Sequence, residues 1–388
     1  MNFAERVKQL PPYLFVGISR SIAEKKKQGI DVISFGIGDP DIPTPNSVIE
    51  ELKSGSDITA NHRYPETEGL PEYRKGVADF YKKRFNVTLD PETEVINLIG
   101  AKEGIAHAPL CFIDPGDIAI CPNPAYPVYE IGTMFAGGSC HMVTLEENKG
   151  YLLDPSDIPT DIAKRSKILW INYPNNPTGA VADKKYFENI VNFCLEYDIA
   201  LLHDACYTEV TFDGYIAPSI LEIKGAMDIS IEFHSLSKTA NMTGWRVGAA
   251  VGNPEMINAL MRVKSNIDSG LPQAIQQMGI KAFNLSKEWL FNNNEIYRKR
   301  RDKVVDVLNS IGVNTIAPKA GLYIWTPVPK GYTSAEFASE LLEKVNVVVT
   351  PGNGYGTGGE GYIRLSLTIP DDQIDEGLNR LSKFRINS

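Results

Sequence analysis

From about residue 45 to residue 280 the chain alternates two textures: short, almost wholly apolar runs, and longer stretches whose apolar residues return every three or four positions. The first reads as buried strand and the second as amphipathic helix. Strands are expected over 94–99, 117–121, 167–172, 199–203 and 229–234, with helices such as 184–196 between them. Near-continuous apolar strands separated by helices predict a mainly parallel sheet covered on both faces. Before this region Pro11-Pro12 breaks the chain, a helix is expected over 13–27 with Gly29 closing it, and 32–35 is a short strand running into the turn Gly36-Ile37-Gly38-Asp39-Pro40-Asp41. After Gly270 the pattern becomes helix-rich and then mixed: a long helix over 287–311, strand 321–326, helix 334–345, strands 347–350 and 361–367, and helix 371–384. The charged run 298–303 within the long helix reads as a solvated face.

These changes divide the chain into an N-terminal arm that joins the small domain (1–44), a large α/β domain (45–282) and a smaller α+β domain (283–388). A length of 388 residues suits such a division, and 43% apolar with 22% charged residues is ordinary globular composition. A net charge of −9 argues against nucleic-acid binding or a basic membrane patch. The first residues lack the apolar core of a secretion signal, and no apolar run approaches membrane-spanning length, so a cytoplasmic protein is expected. The five cysteines are scattered without a C-x-x-C pair, which favours small buried side chains over a disulfide framework or zinc site.

The chemistry collects where strands end. Gly100-Ala101-Lys102 follows the first strand of the large domain, Asn175-Asn176-Pro177-Thr178-Gly179 the third, Asp204-Ala205-Cys206-Tyr207 the fourth, and Ser235-Leu236-Ser237-Lys238 the fifth. In open α/β sheets that edge is where ligands bind. A lysine set among small polar residues, with Arg246 eight positions on, is a reactive lysine rather than a surface one. Schiff-base chemistry on a pyridoxal ring would need a carboxylate for the ring nitrogen, and Asp204 is the candidate. It would need neutral donors for the phenolic oxygen (Asn176, Tyr207) and a cover for the ring face (Tyr126). It would also need a phosphate cup, for which Ala101, Lys102, Ser235, Ser237 and Arg246 are available.

With Tyr64 in Tyr-Pro-Glu-Thr-Glu-Gly-Leu and Arg364 in Tyr-Ile-Arg-Leu-Ser added, these pieces stand in a specific order along nearly the whole chain. The sequence resembles the class I/II aminotransferases, fold-type I pyridoxal-phosphate enzymes. Within that family it looks most like the branch acting on LL-diaminopimelate, on Leu10-Pro-Pro-Tyr-Leu-Phe, Ile37-Gly-Asp-Pro-Asp, Lys102-Glu-Gly-Ile, Phe233-His-Ser-Leu-Ser-Lys and Lys264-Ser-Asn-Ile-Asp-Ser-Gly.

The resemblance implies a large, mainly parallel seven-stranded α/β/α domain, a small α+β domain, and pyridoxal 5'-phosphate as cofactor. Lys238 would hold the cofactor and then move the substrate's α-proton; Asp204 would pair with the pyridine nitrogen; Asn176 and Tyr207 would bond the phenolic oxygen; Tyr126 would stack on the ring. Ala101, Lys102, Ser235, Ser237 and Arg246 would hold the phosphate, joined by Tyr64 from a neighbouring subunit, which makes a homodimer the minimal active unit. Arg364 would clamp the substrate α-carboxylate, with Tyr13, Gly38, Lys102, Tyr126 and Asn176 lining the substrate side. The implied reaction converts LL-diaminopimelate and 2-oxoglutarate to tetrahydrodipicolinate, glutamate and water by ping-pong kinetics, in lysine and cell-wall precursor synthesis. An aspartate, alanine or aromatic aminotransferase is the alternative. Ala101 stands where a serine or threonine is common in the family, and Cys206 where alanine or another small residue is. Glu66, Glu68, Asn266 and Ser269 are candidates for the substrate's far end.

Other patterns compete. Gly354-Tyr-Gly356-Thr-Gly358-Gly359 satisfies a dinucleotide-binding spacing but leads into a strand instead of a helix, so a loop over the site is expected. Ser235-x-x-Lys238 satisfies the motif of Ser-Lys hydrolases, which lacks its K-T-G companion here. A non-catalytic binding module on the same fold would bind cofactor without reacting. His203, Asp204 and Cys206 cannot converge on a metal from alternating strand positions, and the remaining histidines show no ligand spacing, so no metal is expected.

Overall fold

Twelve strands in three sheets organise this computed structural model, which describes residues 1–10 and 14–386. They are β1 (Ile33–Ser34), β2 (Val95–Ile99), β3 (Ile118–Asn123), β4 (Ser139–Thr144), β5 (Ser166–Asn172), β6 (Ala200–Asp204), β7 (Ser230–Ser235), β8 (Val247–Gly252), β9 (Tyr323–Pro327), β10 (Val347–Val348), β11 (Thr350–Pro351) and β12 (Tyr362–Ser366). The central sheet runs β2-β8-β7-β6-β5-β3-β4. β8 is antiparallel to both neighbours, and the remaining strands are mutually parallel. The expected α/β class and mainly parallel seven-stranded sheet are therefore what the chain forms.

Each of the five strands expected in this sheet lies within two residues of its observed bounds, because a strand buried on both faces is written in nearly continuous apolar residues. β4 and β8 were not anticipated. β4 lies at the sheet's edge and buries only Val143 fully, and β8 (Val-Gly-Ala-Ala-Val-Gly) carries little strand propensity of its own. The strand expected over 347–350 is two short ones, broken at Val349.

Apolar residues pack on both faces of the central sheet: Tyr81, Leu169, Phe187 and Leu201 belong to one core, Leu98, Trp170, Phe233 and Leu260 to the other. A third core gathers Phe35, Tyr297, Val304, Ile324, Phe337 and Leu378 around the sheet β11-β12-β9. β1 pairs in parallel with β10, so the segment before residue 44 packs with the C-terminal part of the chain. Among the described residues no helix is long and apolar enough to cross a membrane.

The helix Lys287–Ser310 corrects one expectation. Its run 298–303 is only partly a solvated face: Lys299 and Lys303 are exposed, but Arg300 and Arg301 are 5% and 4% exposed. Arg300 grips Asp41 with two nitrogens, at 2.6 and 2.9 Å, and reaches Asp371 at 2.7 Å. Arg301 pairs with Asp213 and donates to the Pro318 carbonyl. Carboxylates far away in sequence make burial of these charges tolerable, and a local charge pattern carries no sign of them.

Candidate active site

Register places the reactive groups side by side. Asn172 at the end of β5 lies opposite Asp204 at the end of β6, and Asp204 opposite Phe233 on β7. Asp204 is 5% exposed and accepts hydrogen bonds from Tyr129 Oη at 2.7 Å and the Cys206 amide at 3.2 Å. The Asn172 side chain donates to the Asp204 carbonyl at 2.7 Å and accepts the Asn176 amide at 2.8 Å, which ties the Asn175–Gly179 turn to β6. Beyond β7, Ser235 caps a one-turn helix, Leu236–Thr239, by accepting the Ser237 amide. That turn sets Lys238 beside the Gly36–Gly38 segment, where its ammonium donates to the Gly38 carbonyl at 2.8 Å. On the other face of β6, His203 bonds Glu232 at 2.9 Å and the Tyr173 carbonyl at 3.1 Å, apart from Asp204.

The opposite wall comes from the small sheet. Arg364 on β12 is 1% exposed, donates to Asn176 Oδ1 at 2.9 Å and to the Gly36 carbonyl at 3.0 Å, and lies between the rings of Tyr323 (3.9 Å) and Tyr355 (4.9 Å). Tyr323 Oη meets Tyr207 Oη at 3.1 Å. The Gly352–Tyr355 and Thr357–Gly359 turns carry the glycine-rich loop, which Asn123 anchors by donating to Thr357 Oγ1 and accepting the Gly358 amide, both at 2.9 Å. A Cβ at Gly356 would lie 2.3 Å from Asn123 Oδ1, so glycine is needed for that approach.

At the third side Arg246 takes a left-handed backbone (φ 54°) and donates to the Thr243 carbonyl at 2.8 Å and to Ser237 Oγ at 3.5 Å. Its guanidinium rests on Gly100, where a Cβ would sit 2.4 Å from it. Ala101 and Lys102 begin the next helix, Ala101–His107. Arginine, two serines and the start of a helix thus form a cradle for an anion such as phosphate.

These walls border an open cavity of about 240 Å³ lined by Gly38, Ala101, Lys102, Tyr126, Asn176, Asp204, Tyr207, Ser235, Ser237, Lys238, Arg246 and Arg364, which the sequence had singled out. Tyr323, Thr243 and Cys206 line it as well. Tyr64 is 89% exposed and outside it, and Tyr13 lies outside the described residues. Glu66, Glu68, Asn266 and Ser269 do not line it. Sequence reasoning missed Tyr129, although its place three residues after Tyr126, at the start of the helix Val128–Phe135, was a usable signal, and it missed Tyr323, for which no motif exists.

Burial, then the nearby Asp204 charge, raises the pKa values of Tyr129 and Cys206 well above their ordinary values, which keeps both neutral beside the carboxylate. Behind the Ala101–His107 helix, Glu103, His107 and Asp268 converge within 4.8 Å. The fully buried Lys264 ammonium already serves two of them, Glu103 at 3.2 Å and Asp268 at 2.9 Å, so this is an ion-pair cluster bracing the helix that carries Lys102.

An amine, a buried carboxylate at the neighbouring strand end, two neutral donors between them and an arginine-serine cradle are the donor set that a phosphate-bearing pyridine aldehyde requires. The fold and this set define a fold-type I aminotransferase site. The description "Aminotransferase class I and II" matches residues 30–381, and the chain belongs to that family, which makes it a pyridoxal-phosphate-dependent aminotransferase. Over full length on both sides it is 57% identical to an LL-diaminopimelate aminotransferase of Dehalococcoides mccartyi. It is 49% identical to the protein of that name in Aquifex aeolicus, over 99% of this chain and 100% of the relative. Apo-BacF from Bacillus subtilis superimposes with a TM-score of 0.96 at 34% identity, over 100% and 99% of the two chains. A Thermus thermophilus aspartate aminotransferase mutant gives 0.92 at 27%, over 99% of each.

Proposed function

We propose that this chain transfers an amino group from LL-diaminopimelate to 2-oxoglutarate, giving tetrahydrodipicolinate, glutamate and water, or runs the reverse in lysine and diaminopimelate synthesis. The observation that carries the substrate is the run of relatives bearing the name LL-diaminopimelate aminotransferase at 48–57% identity over 98–100% of the chain. The cofactor, when bound, supplies an electron sink for the substrate's α-carbon and a carrier for the amino group.

The chain's residues do the rest. Lys238 anchors the cofactor by its amine and afterwards takes and returns the α-proton at Nζ, relieved of its bond to the Gly38 carbonyl. Asp204, held by Tyr129, keeps a proton on the pyridine nitrogen. Tyr207 and Asn176 donate to the phenolic oxygen, Tyr126 covers the ring, and Arg246, Ser235, Ser237, Lys102 and the Ala101 amide hold the phosphate. Arg364, already fixed by Asn176 and Gly36, presents two nitrogens to a substrate carboxylate. Gly38 and Tyr13 belong to the substrate side.

The active unit is a homodimer in which Tyr64 reaches the neighbouring cavity. Its 89% exposure outside its own cavity supports this, as do exposed Ile58 and Ile267 nearby in sequence to the Tyr64 and Lys264 segments.

Glutamate formed from LL-diaminopimelate and 2-oxoglutarate tests the substrate. Turnover of aspartate, alanine or an aromatic donor without turnover of LL-diaminopimelate would instead select the alternative. Borohydride treatment of the pyridoxal-phosphate-loaded protein should fix the cofactor on Lys238; an unmodified Lys238 peptide would overturn the assignment of the amine.

A further inference from the structure

Tyr323, which opens β9, belongs to no motif and touches both working walls of the cavity. Its ring lies under the Arg364 guanidinium at 3.9 Å, and its hydroxyl is 3.1 Å from that of Tyr207. Gly38 makes room for it: a Cβ there would lie 2.1 Å from the Tyr323 oxygen, while the Gly38 carbonyl receives Lys238. Tyr323 and Tyr207 are 4% and 6% exposed and bond each other, and the Tyr323 hydroxyl also meets the Arg364 side chain. The charged groups facing Tyr323 are Lys238 and Arg364, and Tyr207 is the titratable group in contact with it. Burial would raise the Tyr323 phenol, but the two cations and Tyr207 outweigh it and hold it below its ordinary value. Burial, and then Tyr323, pushes Tyr207 well above. The two hydroxyls thus form a short chain whose direction follows the charge at its ends.

We infer that Tyr323 is a positioning residue with two outputs: its ring fixes the plane of Arg364 for a substrate carboxylate, and its hydroxyl sets, through Tyr207, the strength of the hydrogen bond given to the cofactor's phenolic oxygen. The inference rests on the aminotransferase reading above. When Tyr207 turns its hydrogen toward that oxygen, Tyr323 becomes the donor to Tyr207, and polarisation along the pair strengthens the terminal bond. Without the Tyr323 hydroxyl, more electron density stays on the cofactor, which then keeps its proton to higher pH.

Two variants separate the outputs: Tyr323→Phe keeps the ring and loses the hydroxyl, and Tyr323→Leu loses both. In the holoenzyme, Tyr323→Phe should move the pH midpoint of the cofactor's visible absorbance upward by roughly half a unit to one unit, with KM within about twofold of the parent. Tyr323→Leu should move it similarly and also raise KM for the amino donor roughly five- to thirtyfold, as expected for a lost desolvated cation–π contact. In cofactor-free protein, near-ultraviolet titration should show one tyrosine ionising below the others, absent in Tyr323→Phe. An unmoved midpoint together with an unchanged tyrosine titration in Tyr323→Phe overturns the hydroxyl's role, and a parental KM in Tyr323→Leu overturns the ring's. A parent protein that takes up no pyridoxal phosphate overturns the aminotransferase reading instead, and the tyrosine titration then decides the hydroxyl pair by itself.

Discussion

Tyr129 donates its phenolic hydrogen to Asp204 at 2.7 Å while its ring stacks on Trp170 at 4.8 Å and 13°. The stack fixes the hydroxyl, the hydroxyl fixes one carboxylate oxygen, and the other oxygen is held by the Cys206 amide. Asp204 is therefore presented to the cavity in one orientation, by residues that themselves sit in the core behind the sheet.

Tyr129→Phe keeps the stack and removes that hydrogen bond. A bond to a charged, buried acceptor is worth about 1.5–3 kcal/mol, so chemical denaturation should show a loss of that order, with turnover reduced because the carboxylate can rotate. A variant with unchanged stability and turnover would show that the Cys206 amide alone is enough.

Asp204→Asn preserves the shape and an acceptor for Tyr129 but removes the charge. Turnover should fall on the order of 10²–10³-fold, the cost of losing one oriented electrostatic group, while borohydride still fixes the cofactor on Lys238. Near-parental turnover would mean that another group holds the proton on the pyridine nitrogen.

Arg364→Lys keeps a cation and loses the planar fork that Asn176, Gly36 and two tyrosine rings hold. One point charge cannot replace two aligned donors. The ratio kcat/KM should drop roughly 10²-fold, mostly through KM, as steady-state rates over a range of amino donor concentrations would reveal.

His234 lies fully inside, against Phe80 and Phe283, and burial lowers its pKa from 6.5 to about 4, with Arg84 adding to the shift and Glu232 opposing it. The folded state therefore favours the neutral ring. Its contribution to stability is complete above pH about 6.5 and is lost as pH falls from there toward about 4, at most about 3 kcal/mol in all. Unfolding free energies measured across that window should fall less steeply in His234→Phe than in the parent; identical slopes would contradict this.

The strand ends were legible because buried parallel strands announce themselves as apolar runs, and the chemistry sits where such runs stop. Asp204, Asn176 and Lys238 could therefore be placed on one sheet edge before any geometry was known. Tyr129 and Tyr323 were not legible in the same way. Each acts by lying against a residue distant in sequence, 75 positions away for Asp204 and 116 for Tyr207, and a tyrosine in a core has the same local pattern as one in a site. Arg300 and Arg301 failed for the same reason: adjacent charges on a helix look solvated until their carboxylates, Asp41, Asp213 and Asp371, are folded against them. β8 was hidden because glycine and alanine carry almost no strand signal, yet its glycine at 248 lies against the main chain of Ala101 and His234, where a Cβ would come within 2.8 Å of backbone atoms.

Those two arginines have a consequence for how such a chain can change over generations. Asp41 belongs to the turn that supplies Gly36 and Gly38, Asp213 to the segment that continues from Tyr207, and Asp371 begins the last helix. Arg300 and Asp41 are both largely buried, and losing one partner of such a pair costs about 3–5 kcal/mol where no substitute exists, a large part of a typical domain's whole stability. Asp371 and Asp213 are 65% and 48% exposed, and Arg301 also pairs with Asp302, so those links cost less to lose. Among descendants of this sequence, position 41 should therefore be inherited together with 300, while 371 and 213 vary more freely. A lineage that alters 41 or 300 alone would be expected to carry a compensating change at the other, and random mutagenesis with selection for folding would reveal the linkage as paired substitutions.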